Sequence, residues 1–342
     1  MSLSTDTTYI APFAVLQSTR SVDAQIKFYK SIEYVVDEGY EPLEGNPSEI
    51  PQQWFTARGV EREDLQKTVA LRLPHDPYMH LILHQWSNLN ETEGWPAPFN
   101  QVGSRGCSLL VRDVRSEMNR IRREFPKLAI LQEPLTIRRK WGKTTSVLLK
   151  DPEDLWVELV EVERGSVYDS ANVKPPPPNA RTWLHFMHMC ANFKETSKFY
   201  GSFGNSHDHG VDFRPETGFH PWGFEYFAKQ QKEAFGVTMG AKDAYDISFY
   251  RAETDCSQMH IELLQLSDLK NPGPIPTWSQ RGISRYCIKT KDYAGALKKA
   301  KADGHKIYVE DQRGCLNWGD SQWFFFADTD GNIVTLEEWF PQ

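Results

Sequence analysis

The sequence predicts an α+β fold of four βαβββ modules taken in two tandem pairs, one over residues 1–165 and one over 181–342. Three observations predict it. The chain repeats itself at about half of its 342 residues, a proline-rich stretch separates the two copies, and short helical runs alternate with clusters of strand-like segments.

The first module, roughly 8–90, opens with an apolar strand, Ser/Thr/Asp punctuation and a helical run carrying Lys27, Phe28, Tyr29, Lys30 and Ser31. The third, roughly 181–267, opens the same way and reaches Lys198, Phe199, Tyr200, Gly201 and Ser202. The second module, roughly 102–163, has an apolar strand at Leu109–Val114 that leads into a helical run over Ser116–Phe125. The fourth, roughly 280–340, repeats this with Tyr286–Tyr293 and Ala294–Ala302. Modules two and four then close on an acidic turn and a terminal strand, Asp151–Glu161 and Asp328–Glu338. The three correspondences are offset by about 171 to 177 residues and keep one order, which a chance match would not. Lys174 to Asn179, with four consecutive prolines, reads as a semi-rigid linker at 166–180.

Composition removes several function classes. Net charge is -7 and the basic stretches, Arg120 to Arg123 and Arg138 to Lys143, are short, so no nucleic-acid partner is expected. Five cysteines show no CxxC pair and several lie in apolar runs, which suits reduced thiols. No stretch is long and apolar enough for a membrane span, and Met1–Thr8 lacks a charged segment followed by an apolar one, so a cytoplasmic location is expected. Neither a GxGxxG turn after a strand nor a P-loop occurs. The 11 Trp, 13 Tyr and 19 Phe suit aromatic-rich strand cores or a large pocket for an organic ligand.

Three short motifs then point in one direction. His185 opens a strand, with Phe199 and Tyr200 about fifteen residues on; Ile261, Glu262, Leu263 and Leu264 form a strand; and Asp328 to Asn332 makes an acidic turn into the last strand. In these features the chain resembles the vicinal-oxygen-chelate (glyoxalase, bleomycin-resistance and extradiol-dioxygenase) superfamily, in its two-domain, four-module form. The resemblance implies that paired modules curl into cupped sheets. It also implies that each module offers one residue from its first strand and one from its fourth to a metal.

Carried over position by position, the implied slots hold Ala14 and Ile82 in module one and Gly106 and Glu158 in module two. They hold His185 and Glu262 in module three, and Arg285 and Thr335 in module four. First-strand slots shifted by one residue would bring in Phe13, Cys107 or Ser284. With modules three and four paired, only His185 and Glu262 remain as ligands, fewer than the three protein groups that a catalytic divalent ion usually takes. Arg285, a permanent cation, would face Glu262 and supply positive charge itself, or form a buried ion pair that joins two modules.

These slots lead to an expected enzyme without a cofactor: an isomerase, lyase or cyclase acting on a small oxygenated, partly aromatic carbonyl compound of specialised metabolism. His185 would be its general acid/base, Glu262 its orienting partner and Arg285 the stabiliser of a developing enolate. His260, Met187, Thr335 and Glu337 are the expected substrate contacts. Two alternatives stay open. One is an Fe2+ (or other divalent-metal) dioxygenase with His185, His260 and Glu262 as ligands, since strand alternation puts residues 260 and 262 on one face. The other is a ligand-sequestering resistance protein. His188 faces away from His185 and is expected to be structural. His80, His84 and Glu158 form a weaker candidate cluster, and His207, Asp208 and His209 another in a polar loop. A small-molecule substrate is the expected partner, and a homodimer is compatible with the sequence.

Overall fold

The computed structural model describes residues 10–38, 48, 50, 52–76, 78–90, 100–139, 142–162, 182–207, 229, 232–233, 246–252, 254–255, 259–266, 269, 278–316 and 319–341. The linker expected at 166–180 and the loop residues Asp208 and His209 lie outside them.

Four copies of one local program build the chain. Each module begins with a strand: β1 (Ala11–Thr19), β5 (Gly103–Leu110), β9 (Thr182–Met189) and β13 (Gly282–Lys289). Each then enters a helix: α1 (Val22–Ser31), α3 (Val114–Glu124), α4 (Phe193–Ser202) and α5 (Tyr293–Ala302). The four starts share one physical device. The side chains of Ser21, Asp113, Asn192 and Asp292 accept a hydrogen bond from the backbone N–H three residues on, satisfying a donor that the first helical turn leaves open.

The remaining strands are β2 (Val35–Val36), β3 (Leu65–Arg72) and β4 (His80–Trp86) in module one and β6 (Ile130–Arg139), β7 (Gly142–Lys150) and β8 (Trp156–Val162) in module two. Module three adds β10 (Ser206–His207), β11 (Asp246–Arg251) and β12 (His260–Gln265), and module four β14 (Ile307–Leu316), β15 (Gly319–Ala327) and β16 (Ile333–Pro341). A short extra helix, α2 (Gln52–Arg58), sits between β2 and β3. In every module the first strand runs parallel to the fourth, and the other pairings are antiparallel. Among the described residues no helix is long and apolar enough to cross a membrane.

The modules do not pair in chain order. One eight-stranded sheet runs β14-β15-β16-β13-β1-β4-β3-β2 and the other β10-β11-β12-β9-β5-β8-β7-β6. Module one thus joins module four through β1 and β13, and module two joins module three through β5 and β9. This corrects the expected pairing of 1–165 with itself and 181–342 with itself. Modules adjacent in sequence meet across the two sheets instead.

A single core records this stacking. It holds Phe28 and Tyr29 of α1, Met118 and Ile121 of α3, Phe199 and Tyr200 of α4 and Ala300 of α5, with residues from both sheets such as Leu81 and Ile261. The acidic turns seal it. Asp151 Oδ2 accepts from Gln17, Gln25 and Tyr29 at 3.1, 2.9 and 3.0 Å, tying module two to module one. Asp328 and Asp330 do the same for modules four and three, taking Tyr200 Oη at 3.3 Å and facing His188 Nε2 at 3.5 and 3.3 Å. His188 also bonds the Tyr286 hydroxyl at 2.6 Å, and its ring and the carboxylates of Asp328 and Asp330 bring three potential ligand atoms within 4.8 Å of one another. Cys107, Cys190 and Cys287 are buried free thiols, and the side chains of Cys256 and Cys315 lie outside the described residues.

Candidate functional site

Strand alternation gives each sheet an inner face toward the shared core and an outer face away from it. On β9, Phe186 and His188 point inward, and His185 and Met187 outward. On β12, Ile261 and Leu263 point inward, so His260, Glu262 and Leu264 share the outer face with His185. The antiparallel seam between β5 and β9 sets Ser108 opposite His185, and the parallel seam between β5 and β8 sets it beside Glu158. One residue from each of four central strands therefore converges on the outer face.

The geometry is tight. His185 Nε2 lies 3.1 Å from Glu262 Oε2 and 3.6 Å from Glu158 Oε2. The Ser108 hydroxyl donates a short hydrogen bond to Glu158. The Phe249 ring meets the imidazole edge-on at 4.9 Å, and His260 anchors its Nδ1 on the Leu184 carbonyl at 3.1 Å. Leu135, Ile137, Leu148, Trp156, Met187 and Leu264 pack into the apolar cluster of the same face. His185 is only 4% exposed, so the acid groups act on it through little water.

Protonation follows from this crowding. Burial works against charge on His185, but the carboxylates of Glu262 and Glu158 outweigh it and raise its pKa to about 9. Burial would raise Glu158, yet His185, Ser108 and Ser146 together bring it below the usual carboxylate value. The site as it stands is an imidazolium held between two carboxylates.

The structure redistributes the expected site residues. His185, Glu262, His260 and Met187 come together. Arg285, Thr335 and Glu337 do not join them, because β13 and β16 belong to the other sheet. Arg285 instead stacks on Trp278, its guanidinium 4.0 Å from the ring centre, so it neither faces Glu262 nor pairs with it. The His80, His84 and Glu158 cluster is not formed either: β4 and β8 lie in different sheets, and His80 is held by Asp37 at 3.1 Å and by the Tyr78 carbonyl at 2.9 Å. His207 pairs with Tyr250 at the sheet edge.

Two site residues escaped the sequence. Glu158 was visible as a slot residue but was assigned to a different pair. Ser108 lies two residues beyond the Gly106 slot, as Met187 lies beyond His185, and it reaches the site because the seam between β5 and β9 sets it opposite His185. All four modules share this register, so Cys287 stands beside Thr335 as Met187 stands beside Glu262. A serine two residues along β5 in a bulged strand carries no sequence signal of its own.

The donor count changes with the pairing. Once His185 gives up its proton, its imidazole nitrogen and two carboxylates, with a serine hydroxyl beside them, form a set chemically suited to a divalent cation. Three protein groups also leave positions open for substrate or water. By donor type this set suits the metal that such folds imply, although among the described residues the donor atoms that lie mutually within 4.8 Å are those of His188, Asp328 and Asp330.

No family model matches the sequence, and no curated protein matches it. Solved structures do. Glyoxalase I from Zea mays aligns over 96% of this chain and 92% of its own, with a TM-score of 0.58 at 16% identity. A putative dioxygenase from Bacillus subtilis aligns over 95% and 84%, with a TM-score of 0.52 at 11% identity. The chain shares the fold of these structures, and at these identities the likeness is one of fold alone.

Proposed function

We propose that the outer face of β5, β8, β9 and β12 is the active site of an isomerase- or lyase-type enzyme. It moves a proton on a small, oxygenated, partly aromatic carbonyl compound. One observation carries the reading: the His185 imidazole stands 3.1 and 3.6 Å from two carboxylates of different modules on a buried, apolar floor.

Glu158, His185 and Glu262 are the residues that would hold a divalent cation, and such a cation would polarise a substrate carbonyl. The chain's own groups do the rest. Glu262, free of a serine anchor, takes the proton from the carbon beside the carbonyl and returns it to the neighbouring atom. Ser108 holds Glu158 in place. Phe249 and Met187 keep water from the reacting carbon and favour a flat, apolar substrate portion. Two glutamates and one histidine suit proton transfer better than oxygen activation, which generally uses two histidines and one carboxylate.

The test has two readouts. Titrating the purified chain with Zn2+, Ni2+ and Fe2+ measures binding directly, and Glu158→Gln and Glu262→Gln should each weaken it about tenfold or more. Incubating the protein with a panel of aryl hydroxyketones and thiol adducts of 2-oxoaldehydes in D2O reads proton transfer as deuterium incorporation. Exchange lost in Glu262→Gln supports the reading, and exchange indifferent to that substitution defeats it. Oxygen uptake with a catechol and Fe2+ would assign dioxygenase chemistry instead. A bound compound returned unchanged would assign sequestration.

A further inference from the structure

The acidic turns of the two halves are alike in position and unlike in charge. Asp151 and Glu153 recur 177 residues later as Asp328 and Asp330, and Gln17 and Gln25 recur 171 residues later as His188 and Thr196. In the first half the Arg281 guanidinium meets Glu153 at 2.6 Å, so the protein supplies the countercharge itself. In the second half no lysine or arginine among the described residues forms an ion pair with either aspartate. Their basic partner is His188, whose Nε2 lies 3.3 Å from Asp330 Oδ2 and 3.5 Å from Asp328 Oδ2.

The three groups are arranged as ligands are. Each is held from outside by its far atom. Asp328 Oδ1 accepts from the backbone N–H groups of Asp330 and Asn332 at 2.9 and 2.8 Å. Asp330 Oδ1 accepts from the Ala191 N–H at 3.0 Å, and His188 Nδ1 meets the Tyr286 hydroxyl at 2.6 Å. Each residue thereby turns its remaining donor atom to a common point, and these three atoms lie within 4.8 Å of one another. Outer partners orient metal ligands in the same way. Asp328 Oδ2 also accepts from Asn332 Nδ2 at 3.0 Å and keeps a second lone pair. The Tyr200 hydroxyl, 3.3 Å from that oxygen, can donate to the Tyr286 oxygen instead, at 3.1 Å.

The spacing fits an ion between the groups better than direct contact. Charge-assisted hydrogen bonds close to about 2.7–2.9 Å, and His188 stops short of that with both carboxylates. Two ligands about 2.0–2.2 Å from one ion, at tetrahedral or octahedral angles, stand about 3–3.5 Å apart. The Thr196 hydroxyl, 3.2 Å from Asp330 Oδ2, offers a neutral fourth oxygen. A neutral imidazole and two carboxylates carry two negative charges, which a divalent ion balances. The side chains of His188, Asp328 and Asp330 are nearly or wholly buried, yet Ala191 and Thr329 beside them are exposed, so an ion has a short way in.

We propose that His188, Asp328 and Asp330 bind one divalent transition-metal ion, Zn2+ before Mg2+ or Ca2+ because of the imidazole. The ion is a structural clamp. It ties β9 of one sheet to the turn after β15 of the other, where the first half uses Gln17 and Arg281. His188 faces the core and His185 the opposite side of β9, so this site is separate from the proton-transfer site and does not depend on that reading.

The experiment strips the full chain with EDTA, dialyses it against Zn2+ and counts bound zinc per chain. Glu158→Gln combined with Glu262→Gln removes the outer-face donors, and that chain should still hold one equivalent. Adding His188→Gln or Asp330→Asn should weaken the remaining zinc about tenfold or more. Gln17 shows that the fold accepts glutamine at this place. Zinc at about a hundred times its Kd should raise the unfolding midpoint of the Glu158→Gln, Glu262→Gln chain by about 3–5 °C and leave that of the triple variant unmoved. If the combined variants do not fold, His188→Gln in the otherwise unchanged chain should hold one equivalent fewer than wild type. Zinc retained undiminished in both His188→Gln and Asp330→Asn, or no zinc beyond that lost with Glu158 and Glu262, would each overturn the proposal. Deuterium exchange at the outer face is untouched by either result, so the two readings fail separately.

Discussion

The Tyr29 hydroxyl donates to Asp151 Oδ2 at 3.0 Å, and through this bond the acidic turn of the second module is fastened to the helix of the first. Tyr200 and Asp328 repeat it in the second half at 3.3 Å. These turns are where sequence neighbours meet, face to face between the sheets, and they make the packing of the halves sensitive to charge.

Asp151 is the clearest case. Burial outweighs the hydrogen bonds from Gln25, Leu155, Gln17 and Glu153 and raises its pKa from 3.8 to about 6. The folded state thus holds a proton that the unfolded state releases. Its contribution is fully present below 3.8 and is lost as pH rises through about 6. Thermal unfolding followed across that window should show stability falling with pH from this group, and Asp151→Asn should flatten the slope. The amide also turns a donor toward donors, so Asp151→Asn should lower stability by about 1–3 kcal/mol in urea titrations.

His188 has a counterpart 171 residues earlier, Gln17, which donates to Asp151 as His188 faces Asp328 and Asp330. A glutamine therefore already serves this place in the fold. His188→Gln should cost about 1 kcal/mol or less, whereas His188→Leu should cost about 1–3 kcal/mol by leaving Tyr286 and the aspartates without their partner. Urea unfolding of the two variants side by side checks the ordering; equal losses would contradict it.

Gly106 lets β5 approach β8. A Cβ built there would sit 1.9 Å from the Trp156 carbonyl oxygen, a backbone atom that cannot swing away. Gly106→Ala should destabilise by at least about 1–3 kcal/mol. It should also weaken divalent-cation binding, because Ser108 and Glu158 ride on the two strands forced apart. Unfolding midpoints and metal titration measure both.

Arg281 and Glu153 form a buried ion pair at 2.6 Å that joins the start of β13 to the turn before β8. Arg281→Met would leave Glu153 with its bonds from Thr19 and the Arg20 backbone but without its buried countercharge, at a cost of up to about 3–5 kcal/mol. Adding Glu153→Gln should recover part of that loss. A double variant no more stable than the single one would refute the pairing.

Much of the module was legible in the chain. The punctuation at Ser21, Asp113, Asn192 and Asp292, the recurrence of Phe28 and Tyr29 as Phe199 and Tyr200, and the two acidic turns are local features. Period-two alternation placed His260 and Glu262 on one face without reference to anything distant. The sheet partners were not legible, because β1 and β5 are both buried along nearly their whole length and either could meet any first strand of the repeat.

By itself, then, the sequence determined four βαβββ units, their helix caps and the faces of their strands, since each depends on residues a few positions apart. The tertiary structure alone decided that module two meets module three. That choice rests on side-chain packing between segments far apart in the chain. It brought Glu158 and Ser108 to His185, sent Arg285 to a different sheet, and turned a two-ligand remnant into a three-donor site.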